Sequence, residues 1–144
     1  MDAIRPWFGR YFAALFLTWG VLVVAGILLG RFAGISLPGG AVAAIPPMAA
    51  ALHTGQKWAE AHGAAMPSAP AWRLALIGAG VYVLAQAALL VSVLATLSRA
   101  GSEGGLGLGA AFGLGLLALL GLVSVLIGRY FLGVGAKTVL RRRR

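Results

Sequence analysis

The chain has no cysteine, and only three of its 144 residues, Asp2, Glu60 and Glu103, are acidic. The first absence excludes disulfides, thiolate catalysis and cysteine-bound zinc. The second leaves Asp2 as the sole aspartate, so no Ser-His-Asp set can be assembled. Charged residues make up 10% of the chain, against roughly a quarter in a soluble domain. That is too little polar surface to cover a water-facing globule. Disorder is excluded as well, because it requires low hydrophobicity. Here hydrophobic residues reach 60% and the mean hydropathy is +0.94.

What the chain does hold is apolar runs, glycine and positive charge. There are 22 glycines, and twelve Lys and Arg give a net charge of +9. A pI near 11.7 would suit nucleic acid. The charges, however, sit between long apolar runs, where they read as flanks of membrane spans. A β-barrel would need short segments of alternating polarity, and these runs are continuous.

Four runs are visible. Tyr11 to Gly30 carries no charge and follows Arg5 and Arg10. It exceeds the core of a signal peptide, about 7–15 residues, and lacks a small-x-small cleavage pattern at its end. It reads as an uncleaved first span. A turn at Ile35-Ser36-Leu37-Pro38-Gly39-Gly40 precedes Ala41 to Leu52, which is followed by His53, Gln56, Lys57 and Glu60. Pro46-Pro47 removes backbone hydrogen bonds inside this run and should bend it. Two readings stand for it, a full span reaching about Trp58 and a re-entrant segment. Met66 to Pro70 breaks the chain again, with Ser68 as a candidate helix cap and Pro70 in the first turn. Leu74 to Leu97 and Leu106 to Gly128 form the last two runs. The expected architecture is all-α, a single membrane domain with four transmembrane helices over about 11–30, 40–58, 72–98 and 106–130. A basic cytoplasmic tail over 137–144 follows. Four spans of roughly 20 residues leave no room for a soluble domain.

Positive charge gives the expected sidedness. With four spans, Arg5, Arg10, Lys57, Arg73, Arg129, Lys137 and Arg141 to Arg144 share one side, and Arg31 and Arg99 the other. Lys and Arg in short loops stay cytoplasmic, so both termini are expected inside. Trp7, Tyr11, Trp58, Trp72 and Tyr130 fall at the same span ends, where aromatic side chains favour the membrane–water interface.

Small residues mark the expected packing faces. The second helix has Gly39, Ala43, Pro47, Ala51, Gly55, Ala59 and Gly63 at intervals of four. The fourth has Gly101, Gly105, Gly109, Gly113 and Gly121 in one phase, and the first has Ala14, Thr18, Gly26 and Gly30. Such stripes let helix backbones approach closely in lipid, within one chain or between copies. Gln86 lies mid-span with Tyr82 one turn earlier, and Thr18 and Trp19 on the first helix are within reach. This intramembrane polar set reads either as interhelical glue or as a substrate site. No Asp, Glu, Lys or Arg lies mid-span, so a proton path is not indicated.

Other motifs carry less. His53, Lys57 and Glu60 share one helical face, and His62 follows, but Lys57 would oppose a cation and the spacing matches no ligand motif. No cofactor or metal is expected, and the glycines at 101–115 lack the Lys and the strand–helix context of a phosphate loop. Lys137 and Arg141, Arg142, Arg143 and Arg144 read as a topology anchor that can also bind anionic lipid.

The order Ala44-Ile45-Pro46, Gly55-Gln56-Lys57-Trp58, Gly63 to Pro67 and Trp72-Arg73-Leu74 resembles a family of small, uncharacterised four-span inner-membrane proteins of proteobacteria. The likeness covers roughly Gly34 to Leu74. Ala64 and Ala71 stand where that family often has a basic and an acidic residue. The resemblance implies architecture and a place in the bacterial inner membrane, and no activity.

The expected function is non-enzymatic: an accessory, assembly or regulatory subunit of a membrane complex, or a homo-oligomer. The alternatives are a small transporter or channel and an immunity or resistance protein. The lipid bilayer is the expected surrounding partner, and nucleic acid is not expected. The sidedness is tested by a reporter fused to the C-terminus, which should show a cytoplasmic signal. A periplasmic signal would overturn it.

Overall fold

The computed structural model describes residues 5–36, 39–99 and 106–142. These form four helices: α1 (Arg5–Ala33), α2 (Gly39–His62), α3 (Ser68–Arg99) and α4 (Leu106–Arg142). Each end has a local cause. Gly34 follows α1 at φ +64°, and the Ile35 N–H returns to the Leu29 carbonyl at 3.2 Å. Gly63 follows α2 at φ +65°, and its N–H reaches the Ala59 carbonyl at 2.9 Å, a left-handed cap that glycine adopts without strain. At the start of α3 the Ala71 N–H bonds the Pro67 carbonyl at 3.1 Å. Ser68 is therefore the first helical residue rather than the cap, and Pro70 sits where a missing N–H costs nothing.

Three of the helices contain stretches long and apolar enough to cross a membrane, Pro6–Ala33, Ser68–Thr96 and Ala111–Arg142. This composition suggests a membrane protein. Large apolar side chains along them face outward, among them Leu17, Val24, Phe32, Leu84, Val91 and Phe112. In water that surface would drive aggregation; in hydrocarbon it is at home. α2 is not among the three.

The contacts set the order of packing. α2 lies against α4 along most of the shared length, α4 also packs on α3, and α1 packs on α2. α1 and α2 are antiparallel, with the Trp7 and Trp58 rings 5.1 Å apart and Ala14 and Ala49 lining one groove further along. α3 and α4 are also antiparallel. Ala75 lies beside Gly128, Val83 beside Gly121 and Leu90 beside Gly113. Consequently Trp7, Trp58, Trp72 and Arg129 gather at one end of the bundle, and Arg31 and Arg99 lie toward the other.

Two adjacent rows of α2 are buried, Pro46/Ala50/Thr54/Trp58 and Pro47/Ala51/Gly55/Ala59. Ala43, the next member of the second row, is half-buried. The approach to α4 is closest at two glycines. A Cβ at Gly55 would run into the Leu132 carbonyl oxygen, and one at Gly135 into the Leu52 carbonyl oxygen. Glycine within a helix costs about 1 kcal/mol relative to alanine. Here that cost is offset by backbone contact that no side chain would allow.

Two members of the expected α4 row, Gly113 and Gly121, lie in the packed interface. Both face α3, as does Gly128 one heptad on, and a further seven residues bring Gly135 against α2. Gly101 and Gly105 lie outside the described residues, and Gly109 is helical. On α1, Gly26 is half-buried, whereas Gly30 is exposed with nothing within 4 Å of a Cβ placed there. Gly30 therefore packs against nothing among the described residues. The segment expected as a tail is the end of α4, which continues helically through Arg142, with Ala136 fully buried and Val139 and Leu140 half-buried. Arg143 and Arg144 lie outside the described residues.

Gly55→Leu and Gly135→Leu should each force α2 and α4 apart, sharply lowering accumulation in the membrane. Gly30→Leu and Gly115→Leu, which point into open space, should leave levels unchanged. Immunoblots of membrane fractions and size-exclusion profiles check this; equal levels for all four variants would refute it.

Candidate functional site

The site begins with a defect in α2. In an α-helix each carbonyl accepts the N–H four residues on. Residues 46 and 47 are prolines, so the Val42 and Ala43 carbonyls have no such partner. Both prolines are fully buried, and Val42 and Ala43 are half-buried. The Tyr82 hydroxyl of α3 donates to the Ala43 carbonyl at 2.8 Å. Tyr82 is itself buried, and its oxygen accepts from Gln86 Nε2 at 2.7 Å. Gln86, Tyr82 and Ala43 thus form a chain of two bonds pointing the same way, so each polarises the next. Tyr82 lies near the middle of α3 and Ala43 in the second turn of α2, which places the start of α2 beside the mid-length of α3.

One level toward the basic end sits Tyr11. It is 1% exposed, although it lies only two turns into α1. Room for its ring comes from glycine: a Cβ on Gly78 would collide with the ring, and Gly128 lies beside the hydroxyl. Tyr11 therefore joins α1 to α3 and α4, two helices that α1 otherwise barely touches or misses. Thr54 is fully buried in α2, and its Oγ1 has no hydrogen-bond partner among the described residues.

Below Tyr11 an aromatic group closes the end of the bundle. Trp58 and His62, one turn apart, stack at 4.0 Å, and Trp7 meets both at 5.1 and 5.8 Å. The Arg10 guanidinium lies 4.9 Å from the Trp7 ring. His62 Nδ1 is 3.1 Å from the Trp58 carbonyl oxygen, and Lys57 pairs with Glu60 at 2.7 Å. Among the described residues no three His, Cys, Asp or Glu side chains come together as a metal site.

The expected polar residues thus separate. Tyr82 and Gln86 act together on a backbone atom, whereas Thr18 lines a different groove with Arg10, Ala49 and His53. Lys137, Arg141 and Arg142 lie exposed along the last turns of α4. From the sequence Tyr11 reads only as an interfacial aromatic, and neither Thr54 nor Gly135 stands out. The last carried a signal, since it lies one heptad after Gly128. Chemically the central set is an amide, a phenol and a peptide carbonyl satisfying one another, which ties helices together. No protein-family model, curated protein sequence or solved structure matches the chain.

A double-mutant cycle tests the arrangement. Tyr82→Phe leaves the Ala43 carbonyl without a donor and should lower stability in detergent by about 1–3 kcal/mol. Pro47→Ala restores a backbone N–H four residues on, so the double variant should recover part of that loss. Melting curves read both, and strictly additive losses would show that Tyr82 does not stand in for the missing N–H.

Proposed function

We propose that the chain is a non-enzymatic integral protein of the bacterial inner membrane with both termini in the cytoplasm. It would serve as an accessory, assembly or regulatory partner of a larger membrane complex, or of further copies of itself. The observation that carries this reading is the outer face of α1. Its middle turns leave a shallow apolar groove among Phe16, Leu17, Val21, Val24 and Leu28, with Gly20 and Ala25 as small residues between them. A Cβ on Gly20 would meet nothing within 4 Å. Large side chains around a small one are what a second transmembrane helix packs into.

The sidedness is supported by the gathering of Arg10, Lys57, Arg73, Arg129, Lys137, Arg141 and Arg142 toward one end of the bundle, with Arg31 and Arg99 toward the other. In this reading α2 completes the fourth crossing inside the protein, shielded by its neighbours, because its own composition is too polar to face lipid. A transport reading would use the Pro46-Pro47 interruption and Gln86 to line a path. The mutual bonding of Gln86, Tyr82 and Ala43 favours the packing role.

Co-purification in mild detergent followed by mass spectrometry tests the proposal. The expected result is a stable protein partner or a defined oligomer, lost in a Gly20→Leu variant that still folds. A lone monomer in the unaltered protein would overturn it.

A further inference from the structure

The last turns of α4 carry a second feature that the partner reading does not use. Arg129, Gly133, Lys137 and Arg141 recur every four residues, so they stand in one row on the helix. Beside that row run Leu126, Tyr130 and Val134, and from α3 comes Trp72. Together they line a groove of about 630 Å³, and a second hollow sharing Tyr130, Val134 and Lys137 extends it to Arg141. Its volume falls in the range of small-molecule sites, roughly 300–1,000 Å³.

We propose that this groove binds one anionic phospholipid, with the headgroup phosphate held between Arg129 and Lys137, Arg141 standing beyond it toward the polar end of the helix, and an acyl chain laid over Leu126. Four observations carry it. First, the groove is one-signed: it holds three cations, and Glu60, the one acidic residue among the described positions, is bonded to Lys57 instead. Second, the helix dipole accounts for cations only within the last turn, so it explains Arg141 but not Arg129 or Lys137. Third, Arg129 is propped 5.8 Å from the Trp72 ring, which holds the guanidinium at the groove's edge. Arg there can grip a phosphate through two parallel N–H bonds. Fourth, Gly133 forms the floor: a Cβ there would meet nothing within 4 Å, so the space above it is empty of protein. Trp72 and Tyr130 are both exposed, as side chains at the headgroup level of a bilayer are. A dissolved anion would have no use for the apolar half of the groove; a lipid uses both halves.

This inference rests on the basic end lying at a bilayer surface and is independent of whether a protein partner exists. A chain that purifies alone should still bind the lipid.

The experiment is native mass spectrometry of the full-length protein in mild detergent, titrated with phosphatidylglycerol or phosphatidylcholine. One phosphatidylglycerol should be retained at least about tenfold more strongly than phosphatidylcholine. Arg129→Gln with Lys137→Gln should remove that preference. Gly133→Leu fills the groove without changing charge, and its Cβ meets nothing within 4 Å, so it should weaken binding while melting temperature and elution volume hold. Arg31→Gln with Arg99→Gln, at the far end, should change nothing. Equal retention of the two lipids by the unaltered protein would overturn the proposal, as would undiminished binding in Gly133→Leu. Tight binding of glycerol phosphate without retention of the lipid would overturn the lipid assignment.

Discussion

The backbone-to-backbone approach of α2 and α4 is the contact on which the rest of the bundle depends. It is set by two missing side chains, at Gly55 and Gly135, each opposed by a carbonyl of the other helix. Between membrane helices the exclusion of water contributes little, so packing distance decides how strongly two helices hold. Once α2 is drawn that close, its neighbours follow. Leu132 and Ala136 are buried beside it, and α1 is brought in through Trp7 against Trp58.

α2 is also the helix least able to live alone. It is not apolar enough to count as a span and carries two prolines in its interior. Its small residues would gain little from lipid, and its freed Ala43 carbonyl would be costly there. The surrounding helices answer both problems, with a glycine-lined seat on α4 and a phenol on α3. Tyr11 does comparable work at the basic end, filling space that Gly78 and Gly128 leave open.

Much of this was legible in the sequence, and the physical reason is periodicity. Four helices follow from apolar runs separated by Pro- and Gly-rich breaks. The buried face of α2 follows from small residues at intervals of four. Tyr82 and Gln86 announce themselves as polar groups one turn apart. The partner of Tyr82 was harder to read, because the acceptor is a backbone atom that residue types do not name; the clue is the proline four residues after Ala43. The length of α4 was hidden by its charge. A basic end reads as a solvated anchor, yet Val139 and Leu140 within it are half-buried, and the helix runs on through Arg142. Tyr11 reads locally as an interfacial aromatic, since its burial depends on glycines about 67 and 117 residues away, a separation at which local pattern says nothing.

The Tyr82–Ala43 bond has a further consequence, one of time rather than space. A ribosome delivers α2 before α3 and α4. When Pro46 and Pro47 emerge, the hydroxyl that completes the helix is not yet made, and the glycine that receives Gly55's neighbours is further still down the chain. The start of α2 and its seat against α4 are therefore completed only by parts that arrive after it, and the turns of α4 around Gly135 close the bundle.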